Sequence, residues 1–174
     1  DDAFDKYDIM NDLMSLGVHR LWKDRLIDWM NPKKGDHLLD VASGTGDVAR
    51  SFLKRTQFEG EVTCVEPNEQ MLNKGKNKLK KFDKIKWNSS AAEKLPFKRE
   101  TFDVYSVSFG IRNFSDINAA LKEARRVLKT GGRILCLEFS KVENETLEKI
   151  YKLYSKSIPY IGKYIAGKSE PYEY

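Results

Sequence analysis

The chain has little of what anchors several protein classes. It carries two cysteines and two histidines in 174 residues, and it has no Cys-x-x-Cys. His19 and His37 stand well apart, so no metal-ligand spacing emerges. Cys64 and Cys136 each lie in an apolar, strand-like run. In a doubly wound sheet those strands stand three places apart, roughly 14 Å, while a disulfide needs Cα atoms within about 7 Å. Both read as reduced core residues of a reducing compartment. No apolar run approaches the roughly 20 residues of a membrane span. No signal-peptide pattern opens the chain, and it contains neither an internal repeat nor a low-complexity tract. It starts at Asp1 rather than Met, which reads as a processed, trimmed or incomplete chain.

What is present suits one ordinary domain. Hydrophobic residues make up 40% and charged residues 33% of the chain, enough for a core under a soluble surface. The net charge is +5, from 31 basic and 26 acidic residues. Apart from Lys74 to Lys86 the basic residues are scattered, so no stripe for nucleic acid forms. A solvated Lys-rich surface or attraction to an anionic membrane face accounts for the excess.

Along the chain, strands and helices alternate. His37–Ala42 is a short apolar run ending in glycines. Asp47 to Lys54 has helical spacing, Glu61–Glu66 is β-branched, and Glu69 to Lys81 returns to helix with Met71, Leu72, Gly75 and Leu79 on one face. Lys84–Asn88 is a weak strand and Asp103–Phe109 a strong one. Ile117, Ala120, Leu121, Ala124, Val127 and Leu128 recur at steps of three and four, the mark of an amphipathic helix. Ser115 or Asp116 can cap its start, and Gly131-Gly132 is expected to end it. Arg133–Phe139 is the next strand, and Leu147, Ile150, Tyr151 and Tyr154 form a further helical stripe, broken by Pro159. Upstream, Leu21 to Met30 reads as an amphipathic helix with Trp22, Leu26, Trp29 and Met30 on one side. The alternation predicts an α/β fold: a doubly wound, mainly parallel Rossmann-like sheet with helices on both faces. The expected organisation is an N-terminal helical lid segment over 1–34 and a core over 35–174, together one structural domain.

In such sheets ligands bind beyond the carboxyl ends of the strands, near the point where strand order reverses. The first strand runs into Asp40-Val-Ala-Ser-Gly44-Thr-Gly46-Asp47, and Glu66 ends the second strand 22 residues after Gly44. The glycines permit a tight turn and close backbone approach by a ligand. Glu66 can accept both hydroxyls of a ribose and would repel a 2′-phosphate. Gly44, Gly46 and Ala49 also satisfy the dinucleotide fingerprint. Two features favour S-adenosylmethionine instead. Asp40, a carboxylate inside a strand, needs donors, which loop amides or the ammonium of an amino-acid moiety would supply. The chain is also too short for a separate dehydrogenase substrate domain. Tyr164-x-x-x-Lys168 mimics a reductase pair but follows the core strands, and reads as coincidence.

The run Leu38-Leu-Asp-Val-Ala-Ser-Gly-Thr-Gly-Asp47 resembles motif I of class I methyltransferases. Four further pieces resemble the ubiquinone/menaquinone biosynthesis C-methyltransferases within that class. They are Tyr7 to Lys23, Ala92-Glu-Lys-Leu-Pro-Phe97, Ser108-Phe-Gly-Ile-Arg-Asn113 and Leu137-Glu-Phe-Ser-Lys141, and they span nearly the whole chain in order. The resemblance implies S-adenosylmethionine as cofactor. Asp40, Gly44, Thr45 and Gly46 would surround its methionine portion, Glu66 its ribose, Ala91 and Ala92 its adenine, and Ser108 the pocket wall. Two positions depart from the family: Glu66 stands where Asp is usual, and Ala91 where Asn is usual.

The acceptor implied is a ring carbon of a polyprenylated benzoquinol or demethylmenaquinol. Arg112 would stabilise the phenolate, through a bound water that takes the proton, and Asn113 would orient the ring. Tyr7 and Asp8 belong to a segment that could close over the pocket and exclude water. His19 is a weaker candidate base. No Asn/Asp-Pro-Pro-aromatic run follows the fourth strand, which disfavours nucleic acid as acceptor. The partners expected are a quinol at a membrane surface and, for the protein itself, a homodimer or a quinone-biosynthesis complex. The expected location is cytoplasmic and peripheral to the inner membrane in a bacterium, or the matrix face of the mitochondrial membrane in a eukaryote. The alternatives are a methyltransferase for a small soluble phenol or for RNA, and a noncatalytic nucleotide-binding subunit. Residues 141–174 show no strand hairpin of the kind that closes such sheets, so a truncated C-terminus is expected.

Overall fold

The structure is a computed structural model that describes residues 18–138, with side chains from residue 21 onward. Residues Trp22–Glu138 form one compact unit. Tyr7, Asp8, the expected helix around Leu147–Tyr154 and the region of the expected missing hairpin lie outside the described residues, as does the side chain of His19.

The element order is α1 (Val18–Met30), β1 (His37–Val41), α2 (Asp47–Arg55), β2 (Glu61–Val65), α3 (Glu69–Lys78), β3 (Ile85–Asn88), β4 (Phe102–Ser108), a single 3-10 turn (Ile111–Asn113), α4 (Ile117–Val127) and β5 (Leu128–Leu137). The sheet order is β3-β2-β1-β4-β5, and every pairing is parallel. Parallel strands need crossovers, and the helices that make them cover both faces. Strand order reverses between β1 and β4.

Side chains alternate across the sheet, and two cores result. Leu38, Val62, Cys64 and Val104 pack with Leu26, Ile27 and Met30 of α1 and with Val48, Ala49, Phe52 and Leu53 of α2. On the other face Leu39, Val41, Val65, Tyr105 and Val107 pack with Ala120, Ala124 and Val127 of α4. Each large side chain so buried contributes about 1.5–3 kcal/mol.

Four expectations are corrected. On α1 the buried face is Leu26, Ile27 and Met30, while Trp29 is 77% exposed. At about 100° per residue the stripe through Trp22 and Trp29 lies roughly a quarter turn from the face that meets the sheet. Trp22, partly exposed, sits 6.2 Å from the Phe109 ring. On α4, Ile117 and Leu121 flank the buried stripe and are exposed. Asp116 caps that helix, accepting from the Ala119 amide at 3.0 Å. Its end is not the glycine pair: Leu128 turns extended directly after Val127. Gly131, at φ 81°, and Gly132 instead form the bulge where the pairing of β5 with β4 shifts. Finally, Cys136 is exposed, because β5 is the last strand of the described sheet and its residues alternate outward. Cys64 is buried on β2, three strands away.

Candidate active site

The site grows from the carboxyl ends of β1, β2 and β4. After β1 the chain turns through Ala42 and Gly44, both at positive φ, and enters α2 at Gly46. The amides of this turn are used in forming it. Ser43 donates to Val65 O at 3.1 Å and Gly46 to Ser43 O at 2.9 Å. Gly44 donates to Glu66 Oε2 at 2.8 Å.

Glu66 is buried, and its other oxygen accepts from the Asn68 amide at 3.0 Å. The carboxylate therefore spans the glycine turn and the start of the β2–α3 connection. Each of its oxygens has used one of two lone pairs, which leaves acceptor capacity for a diol. The extra methylene of Glu over Asp supplies the reach to Gly44.

The two glycines do different work. At Gly44 (φ 55°) a methyl group would meet only Met71 Cε, at 3.4 Å, so the approach to this backbone is open. At Gly46 (φ 81°) it would fall 2.7 Å from Leu79 Cδ1 and 2.9 Å from Trp87 Cη2. Gly46 is thus required by the packing of α3 and β3 beneath the turn, and not by closeness to a ligand.

Asp40 is 1% exposed. Its Oδ1 accepts from Ser106 Oγ at 2.7 Å, and its Oδ2 is buried without a partner. None of the turn amides just named reaches it. Burial pushes its carboxyl up to about 7, against the Ser106 bond and the Lys23 ammonium, which favour the charged form. Ser108 Oγ at the end of β4, and Asn88 Oδ1 and Ser90 Oγ at the end of β3, are also buried without partners. These groups sit at the carboxyl ends of their strands, where a polar ligand would satisfy them.

Asp47, the first residue of α2, carries two ammonium groups. Lys78 Nζ lies 2.9 Å from Oδ1 and Lys23 Nζ 3.3 Å from Oδ2. Together they overcome burial and hold its carboxyl down at about 2. Lys78 also donates to Thr45 Oγ1 at 3.1 Å. Thr45 is buried, with its hydroxyl oxygen turned to that lysine.

The loop after β4 touches the loop after β1 at the strand-order reversal: a methyl group at Gly110 would fall 2.5 Å from Ala42 Cβ. Arg112 and Asn113 follow this contact in the chain, beyond the carboxyl end of β4. Both are exposed on the 3-10 turn, where the Asn113 amide donates to Gly110 O at 3.0 Å. Arg112 Nη1 pairs with Glu138 Oε1, just past β5, at 3.1 Å.

Of the residues expected at the site, Asp40, Gly44, Thr45, Gly46, Glu66, Ser108, Arg112 and Asn113 gather at these strand ends. Ala91 is exposed beyond β3. Ala92 is buried in the second core, so its methyl is packing, and an adenine could meet only its backbone. Tyr7 lies outside the described residues. Sequence reasoning missed Lys23, Lys78, Ser106, Asn88, Ser90 and Glu138. The available signal was a lysine among apolar residues on α1; the register of Ser106 with Asp40 comes from the pairing of β1 with β4.

No three His, Cys, Asp or Glu side chains converge on a possible metal position among the described residues. The donor set suits an adenosyl amino acid: acceptors for a diol at Glu66, and an unpartnered buried carboxylate oxygen for an ammonium at Asp40.

A Rossmann-like sheet with a glycine turn after β1 and an acid after β2 is a nucleotide-binding architecture, and solved methyltransferases share this fold. A methyltransferase from Aquifex aeolicus described as SAM dependent superposes with TM-score 0.66 at 20% identity, over 86% of this chain and 87% of that one. A Methanococcus maripaludis protein described as a putative S-adenosyl-L-methionine-dependent methyltransferase gives 0.67 at 14% identity, over 94% and 74%. The chain belongs to the ubiE/COQ5 methyltransferase family, which it matches over residues 1–174. It is 49% identical over 173 residues to the ubiquinone/menaquinone biosynthesis C-methyltransferase UbiE of Ruegeria sp. (strain TM1040), covering 97% of this chain and 69% of that protein. The protein of the same description from Rickettsia rickettsii (strain Sheila Smith) is 50% identical over 177 residues, covering 98% and 71%.

Proposed function

We propose that this protein transfers the methyl group of S-adenosylmethionine to a ring carbon of a polyprenylated benzoquinol or of demethylmenaquinol, in ubiquinone/menaquinone biosynthesis. The observation that carries the reading is Asp40 Oδ2, buried and unpartnered beside a glycine turn that Glu66 holds in place. The family and its relatives supply the acceptor.

The cofactor supplies an electrophilic methyl group on a sulfonium. The chain's own residues hold and orient. Glu66 takes the ribose hydroxyls on its remaining lone pairs, Asp40 takes the ammonium, and Ser108 lines the wall. Ala91 and the backbone of Ala92 border the adenine. Arg112, fixed by Glu138, faces the acceptor oxygen and stabilises the phenolate that makes the neighbouring carbon nucleophilic. Asn113 orients the ring. Alignment of donor and acceptor then provides much of the rate.

A polyprenyl tail keeps the acceptor in a bilayer. The protein therefore works at the face of a membrane: the inner membrane from the cytoplasm in a bacterium, or the matrix face in a mitochondrion. Its net charge of +5 favours that anionic surface. Self-association into a homodimer, or membership of a quinone-biosynthesis complex, belongs to the same reading. Expression of the gene in a strain that accumulates demethylated quinone tests it. The expected outcome is recovery of methylated quinone, and persistent demethyl-quinone with the protein present at normal level would overturn it.

A further inference from the structure

Lys23 occupies an unusual place. At about 100° per residue it falls with Leu26, Ile27 and Met30 within roughly a third of a turn of α1, on the face buried against the sheet. A lysine on such a face must bring its charge to a partner. It reaches Asp47 Oδ2, at 3.3 Å, at the mouth of the glycine turn.

That carboxylate already has a closer ammonium in Lys78, at 2.9 Å. Two cations share one anion, and a positive charge is left over beside the turn. Lys78 is engaged twice, by Asp47 and by Thr45 Oγ1. Lys23 makes one such hydrogen bond, at the longer distance, so further N–H donors remain for a ligand.

Asp40, at the carboxyl end of β1 just before the same turn, supplies the negative partner: the Lys23 ammonium favours its charged form. Asp40 alternates with Leu39 and Val41 along β1, so its side chain leaves the sheet on the face that α1 and α2 cover. Its Oδ2 is buried and has no partner. An α-amino acid carries its ammonium and carboxylate on one carbon, and its two charges match a carboxylate and a lysine held near one another beside the turn.

We propose that Lys23, backed by Lys78, binds the carboxylate of the cofactor's methionine portion while Asp40 binds its ammonium. The proposal rests on the cofactor reading above. It makes Lys23 a determinant of selection for the amino-acid end of the ligand. A lysine that merely stapled α1 to α2 through Asp47 would affect every ligand alike.

Calorimetric titration with two probes separates these roles. S-Adenosylhomocysteine carries the amino-acid group; 5′-methylthioadenosine keeps the nucleoside and sulfur without it. Lys23→Met removes a charge-assisted hydrogen bond to the carboxylate and should weaken S-adenosylhomocysteine binding by about tenfold or more. Binding of 5′-methylthioadenosine should stay within about twofold of the parent, and Lys23→Arg should recover most of the S-adenosylhomocysteine affinity. Unchanged S-adenosylhomocysteine affinity in Lys23→Met, or parallel weakening of both probes, overturns the proposal. A parent protein that binds neither probe overturns the cofactor reading itself, and the proposal with it.

Discussion

Asp40 and Ser106 face each other in register across β1 and β4, and a 2.7 Å hydrogen bond joins them. The bond satisfies one carboxylate oxygen and leaves the other to a ligand. Burial, and not this bond, sets the pH behaviour of the site: it pushes the native carboxyl up to about 7, while the Ser106 bond favours the charged form.

The native state therefore binds the Asp40 proton more tightly than the unfolded chain does, and from this group alone stability falls as pH rises from about 4 to about 7. Above pH 7 the penalty is constant. Replacing Asp40 with Asn removes it. Urea denaturation should show the variant gaining on the parent across that interval, with a flat difference above it. An ammonium on Asp40 favours the ionised form, so cofactor binding near pH 6.5 should release a proton. Calorimetry in buffers of different ionisation enthalpy reads that release, and its absence would separate Asp40 from the ammonium.

Charge reversal at Glu66 should abolish cofactor affinity. The variant Glu66→Lys loses the acceptors for Gly44 and Asn68 as well as those for the diol, hydrogen bonds worth about 1.5–3 kcal/mol each when charged. A loss of affinity of roughly a hundredfold or more is expected by titration with S-adenosylhomocysteine. Parental affinity in this variant would end the assignment of the site.

Ala91 lacks the side-chain amide usual in the family. Ala91→Asn should tighten cofactor binding by about twofold to tenfold, the value of one neutral hydrogen bond. A dissociation constant that does not fall would place the adenine elsewhere.

Arg112 and Glu138 should separate in kinetics. Arg112→Ala is expected to lower kcat by about a hundredfold or more, as for other groups that stabilise developing oxyanions, with cofactor KM little changed. Glu138→Gln keeps the shape while weakening the ion pair at 3.1 Å, and should give a smaller loss in kcat. Equal losses in kcat and cofactor affinity for Arg112→Ala would move Arg112 out of the chemical step.

The glycines should differ in stability. Gly46→Ala drives a methyl into Leu79 and Trp87 at a positive φ, and overpacking with left-handed backbone together costs about 2–4 kcal/mol. Gly44→Ala meets an ordinary van der Waals distance to Met71 and should cost about 1–2 kcal/mol, but it should impair cofactor binding more than Gly46→Ala does. Thermal unfolding and titration of both variants check the contrast.

By itself the sequence determined the order of strands and helices, the turn at Gly44–Gly46 and the acid at Glu66, because period, turn chemistry and short spacing are local properties of a chain. It also carried the family, through motifs spread along its length. It could not say which side of α1 would meet the sheet, since the tryptophan stripe and the Leu26–Ile27–Met30 face are adjacent and both apolar. It could not say that Gly131-Gly132 would make a bulge and not a helix end, because the partner strand sets that register. Nor could it bring together Asp40 with Ser106, Lys23 with Asp47, or Arg112 with Glu138. Those pairs join residues distant in the chain, and only closure of the sheet and docking of its helices make them neighbours, so the charge pattern around the glycine turn was decided by tertiary structure alone.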